Sequence, residues 1–155
     1  GASSSWVNNG DLFVGLDGDG ELTVSNGGDV YAHDLNVGWS GEGTLTVSGD
    51  GEIDADNLYV GIMADSVGTV SFSGENAYLD VLQDGFIGQT GAGALSFSDG
   101  ATAMFWAGDL TLGENTGGSG ALSLSGTDTE VTVGGDLFVG IDGEGSLEIT
   151  EGAVL

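Results

Sequence analysis

One acidic residue stands at the same point of a recurring phrase. Asp11, Asp34, Asp84, Asp109 and Asp136 each open an Asp-x-x-x-Gly run, and Asn57 takes that place in the remaining copy. If the copies stack in register, neighbouring carboxylates lie about 5 Å apart, and each pair costs on the order of 0.9 kcal/mol even in bulk water. Two chemistries offset that cost. Each carboxylate can accept backbone N–H bonds from its own turn, a role that Asn57 fills equally well. Alternatively, the column can hold a hard cation such as Ca²⁺ through carboxylate and carbonyl oxygens. The calcium candidates are Asp11, Asp34, Asp84, Asp109 and Asp136, joined by Asp17 and Asp19. Asp17-Gly18-Asp19-Gly20-Glu21 has half the look of a calcium loop, but lacks the spacing to the bidentate Glu of an EF-hand and its flanking helices. An ordinary glycine turn is the competing reading there.

Other columns carry weaker chemistry. His33 is the single histidine and has no Ser or Cys constellation around it. Paired carboxylates can hydrolyse glycosides, but turns this short build no cleft walls. The sequence therefore predicts no enzyme. Small hydroxyls alternate through Thr23 and Ser25, Thr46 and Ser48, and Ser96 and Ser98. Stacked, these make a hydrogen-bonded ladder; an ice-binding array is disfavoured because Ser dominates and Glu148 interrupts the row. Phe13, Tyr59, Phe86 and Phe138 fall on the outward side of the first run, in column with Asn36 and Thr111. Such a column packs on itself, or forms a lateral face for bundling or for glycan rings.

The elements that position these residues are repeats. The phrase ending in Gly15, Gly38, Gly61, Gly88, Gly113 and Gly140 returns every 23 to 27 residues. Within each copy a second run alternates apolar and polar, as in Leu22-Thr23-Val24-Ser25 and Leu95-Ser96-Phe97-Ser98. Period two is the mark of a half-buried strand. A weaker third run lies around Val7, Val30, Ile53, Leu79 to Val81, Met104, Val131, and Val154 or Leu155. No run has helical spacing with caps. Three short strands per repeat, six times over, predict an all-β fold: a parallel β-solenoid of about six coils of 23–27 residues, right-handed by expectation, forming one domain over residues 1–155. A sandwich or barrel is the alternative, but it has no reason to repeat the same words in the same order.

Composition narrows the partners. The chain has 25 Asp and Glu, no Lys or Arg, no Cys and no Pro, for a net charge of −25. Nucleic acid and anionic membranes need a basic footprint, so neither is an expected partner. No disulfide or thiolate chemistry is available. No apolar run approaches the roughly 20 residues of a membrane-spanning helix. Gly is abundant at 32 residues, yet 39% of the chain is apolar and patterned, which argues against disorder.

Leu-Phe-Val-Gly, a glycine turn, Leu-Thr-Val-Ser and a further Gly-Gly together resemble the β-helical repeat of autotransporter passenger domains and related secreted bacterial surface proteins. The resemblance covers nearly the whole chain. It implies an extracellular or cell-surface right-handed parallel β-helix serving as a stalk, fibre or adhesin. Such passengers are often far longer and end in a membrane barrel, neither of which this sequence contains.

The start at Gly1 reads as a processed or excised fragment. The first and last runs carry no polar cap, and Trp6, Val7, Val154 and Leu155 fall near one phase of the repeat. A head-to-tail contact between such ends does not close and builds a filament. The expected function is a structural subunit of an extracellular acidic β-solenoid fibre, a homopolymer with itself as partner and with cations, Ca²⁺ among them, screening its charge. The alternative is an adhesin or passenger fragment that binds a surface, matrix or glycan.

Overall fold

In the computed structural model, residues 4–155 are described. Among them there is no helix; two parallel sheets are wound from one chain as a β-solenoid of about six turns. The first sheet has six strands: β3 (Gly20–Ser25), β5 (Glu42–Ser48), β7 (Val67–Ser73), β10 (Ala92–Ser98), β13 (Ser119–Ser125) and β16 (Glu144–Thr150), stacked in sequence order. These are the strictly alternating runs. Their register matches like with like: Leu22, Leu45, Val70, Leu95, Leu122 and Leu147 share one inward column. A second inward column holds Val24, Val47, Phe72, Phe97, Leu124 and Ile149, in which Phe72 and Phe97 stack with ring centroids 5.1 Å apart.

The second sheet has ten strands and carries both other runs. The third run appears as β1 (Ser4–Asn8), β8 (Tyr78–Val81), β11 (Thr102–Phe105) and β14 (Glu130–Val133). The Asp-led run appears as β2 (Leu12–Val14), β9 (Gly85–Ile87), β12 (Leu110–Leu112) and β15 (Leu137–Val139). In the second and third coils the two runs fuse into one strand, β4 (Gly28–Val37) and β6 (Glu52–Val60). The expectation of three separate strands in every coil is therefore corrected for these two. The cause is in the corner: His33 and Asp56-Asn57 join the runs directly, whereas the other coils insert a residue or two more, among them Gly108 or Gly134-Gly135.

The third run is also shifted by one residue at two places. Trp6 pairs with buried Val30, whereas Val7 pairs with Tyr31 and is 60% exposed. Ala103 and Phe105, not Met104, are the buried members of β11. The true inward column is Trp6, Val30, Ile53, Leu79, Ala103 and Val131. A single apolar cluster of these columns runs through all six coils, so no coil holds a core of its own.

The closing glycine of each of the first five phrases meets two demands at once. Gly38 sits at φ +70°, and a Cβ there would collide with the carbonyl of Val67. Gly88 repeats the geometry at φ +72° against the carbonyl of Ser119. Only glycine combines a left-handed backbone with that close approach, which is why the phrase always ends in the same residue.

Candidate functional site

The Asp column lies at the corner that leads into β2, β9, β12 and β15. Asp109 N–H donates to Asp84 Oδ1 at 2.9 Å, and Asp136 N–H donates to Asp109 Oδ1 at 2.8 Å. Asp84 N–H donates to Asn57 Oδ1 at 3.2 Å, and Asn57 Nδ2 donates to Asp34 Oδ1 at 2.8 Å. Backbone bonds run beside them: Leu58, Gly85 and Leu110 N–H donate to the carbonyls of Asp84, Asp109 and Asp136. At this corner the chain leaves the strand ladder, and the side chain supplies the acceptor that the next coil's N–H would otherwise lack. The bonds join coil to coil rather than closing a turn within one coil. They also place a donor beside the carboxylates of Asp34, Asp84 and Asp109, which offsets the repulsion along the column. Asn57 fits where it does because its amide donates to Asp34 while its carbonyl accepts from Asp84.

At the start of the column the partner changes. His33 Nδ1 lies 3.4 Å from Asp11 Oδ1 and 3.5 Å from Asp34 Oδ1, and its Nε2 lies 3.6 Å from Asp56 Oδ2. Asp11, His33 and Asp34 are the one set of three metal-capable side chains whose ligand atoms converge among the described residues. Asp84, Asp109 and Asp136 form no such set. Asp17 accepts from the Ser40 hydroxyl at 2.8 Å in the turn one coil on, and Asp19 is exposed in its own turn. In the sequence His33 has no partner constellation; the coil corner sets it among three carboxylates.

A second acidic face follows the third run. Tyr31, Asp54, Asp80 and Met104 share one outward column, and Asp29, Glu52 and Tyr78 share the next. Burial pushes the Asp54 carboxyl up from the usual 3.8 to about 6, and Glu52, Asp29 and Asp80 push in the same direction. Burial, with Asp80 next, also raises the Tyr78 phenol.

The aromatic column is broken into groups. Tyr59 and Phe86 stack, with centroids 5.4 Å apart and planes 8° from parallel. Phe138 is 38% exposed beside Thr111, which is itself buried. Phe13 turns away from the column and meets Trp39 edge to face, at 5.5 Å and 78°. Trp39 belongs to a further column, the residue after each closing glycine: Leu16, Trp39, Ile62, Gln89, Glu114 and Ile141. Its members stack through backbone bonds such as Trp39 N–H to Gly15 O at 3.0 Å and Ile62 N–H to Gly38 O at 3.1 Å. Between the two columns, Phe13, Trp39 and Tyr59 wall a cavity of about 230 Å³, with Asn36 buried within it and Asp11 and Asp34 on its lining. Burial, followed by the charges of Asp34 and Asp84, raises the Tyr59 phenol, so that wall stays neutral.

The ends of the stack expose what its middle buries. At one end, among the inward apolar side chains, only Trp6 is exposed, at 46%, while Leu12, Val14 and Val24 stay buried; at the other Val139, Ile149 and Leu155 are 44%, 43% and 39% exposed, and Val154, 55% exposed, lies in the outward column of Glu130. Val154 pairs with Glu130, which carries the third run's ladder past the sixth coil.

No family model, curated protein or solved structure matches the chain.

Proposed function

We propose that this chain is a structural subunit of an extracellular fibre in which acidic β-solenoids stack head to tail. The observation that carries the reading is the in-register stack itself: like residues pair coil on coil, and one apolar core runs through all six coils. In the six-stranded sheet β3 and β16 each pair on one side only among the described residues. The first and sixth coils also match in sequence. Asp-Leu-Phe-Val-Gly occurs at 11–15 and again at 136–140, followed by Leu16-Asp17-Gly18 and Ile141-Asp142-Gly143. A second copy docked there would set Leu12 and Val14 over Leu137 and Val139, the pairing that already joins neighbouring coils inside the chain. Such a contact is heterologous and propagates.

The fibre's strength would come from backbone ladders and one continuous apolar core, with no chemistry performed. Cations, Ca²⁺ among them, moderate the stacking, because each added subunit brings a further 25 negative charges. The resemblance to secreted bacterial β-helices supports an extracellular setting. Sedimentation velocity across a concentration series, with and without calcium, tests the proposal: subunit stacking gives growing species, and one concentration-independent small species rejects it.

A further inference from the structure

We propose that the cavity between Phe13, Trp39 and Tyr59 binds a quaternary ammonium group of the choline type. The cavity has three aromatic walls and two carboxylates, Asp11 and Asp34, on its lining. Phe13 and Trp39 meet edge to face with their planes 78° apart, and Tyr59 adds a third ring to the same lining. Aromatic faces carry negative quadrupole density and attract weakly hydrated organic cations, most strongly once these leave water. The carboxylates add full negative charge at the same place.

The chemistry selects this occupant over others. Calcium takes six to eight oxygens, and most of this lining is carbon. A pyranose ring stacks on one flat platform; the crossed planes of Phe13 and Trp39 do not offer one. An anionic ligand meets no basic residue anywhere in the chain. For the same reason a second copy of this protein has no Lys or Arg to insert, and no internal side chain of that kind competes for the cavity. Asn36, 2% exposed, holds the base of the cavity in shape by donating from Nδ2 to the Asp34 carbonyl at 3.4 Å.

The test is isothermal titration of the intact chain with choline chloride at pH 7.5 and fixed ionic strength. The neutral isostere 3,3-dimethyl-1-butanol, calcium chloride and N-acetylglucosamine are run alongside. Choline binds with one site per chain, and the neutral isostere binds at least about tenfold more weakly. Trp39→Ala abolishes binding with an unchanged far-ultraviolet spectrum. The exposed change Asp11→Asn keeps the test decisive if Trp39→Ala does not fold: it weakens choline severalfold and leaves the isostere unaffected. Equal binding of choline and isostere overturns the proposal, as does sugar binding without choline binding, or no choline binding at all.

Discussion

Asp109 Oδ1 accepts the backbone N–H of Asp136, one coil further on, at 2.8 Å. Two residues of one sign therefore hold adjacent coils together, because the bond uses the charge of one and the backbone of the other. Asp109→Ala leaves that N–H without its acceptor and should cost about 1–2 kcal/mol in urea unfolding. Asp109→Asn keeps an acceptor and removes one charge from the column, so its stability should stay within about 0.5 kcal/mol of the parent. Equal losses for both substitutions would show that charge, not the bond, is what matters at this corner.

Asp54 makes the acidic face of the third run pH-dependent. Its carboxyl, raised to about 6, holds a proton more tightly in the folded chain than in the unfolded one. The resulting penalty is absent below pH 3.8, grows between pH 3.8 and 6, and is complete above 6. Asp54 is partly solvated, so the effect is discounted to about 1 kcal/mol. Asp54→Asn should be the more stable chain by that amount at pH 7, with the gap shrinking as the pH falls to 4.5. Chemical denaturation of both chains across that range measures it; a gap constant with pH rejects the assignment.

Tyr59 and Phe86 should show a measurable coupling. Their parallel stack predicts that a double-mutant cycle with Tyr59→Ala and Phe86→Ala returns about 1 kcal/mol of interaction. Additive effects would mean that the rings lie together without supporting each other.

Gly38→Ala should be among the most damaging single changes. It combines a left-handed backbone with a collision against the Val67 carbonyl, and a loss of more than about 2 kcal/mol is expected. By contrast Gly27→Ala has open space around it and only the φ cost at +77°, about 1 kcal/mol. Comparing their thermal midpoints separates the two contributions.

These residues also show what could be read from the sequence. Leu22-Thr23-Val24-Ser25 names its own buried face, because polar residues mark the other one. Trp6-Val7 and Ala103-Met104-Phe105 carry no polar marker, so their phase is legible only from the register, which sets Trp6 beside Val30 and Ala103 beside Leu79. The backbone-accepting role of Asp84 and Asp109 was readable in kind, and Asn57 pointed to it. That the bonds cross between coils was not, since it depends on how the corner turns the chain. Trp39 was invisible as a partner of Phe13. Its column reads Leu, Trp, Ile, Gln, Glu and Ile, and no shared chemistry announces that these positions stack. His33 likewise gains its three carboxylate neighbours from the stacking of coils, with Asp11 and Asp56 one coil to either side.

The central claim is head-to-tail stacking, and negative-stain electron microscopy of the purified chain tests it most directly. The concentrated protein is imaged at pH 7 with millimolar calcium, next to Ile149→Asp, which sets a charge into the exposed inward column of β16. The account predicts long unbranched fibres of uniform width from the parent chain and isolated particles from the variant. Isolated particles of about six coils, roughly 29 Å tall, from the parent under every condition would contradict it.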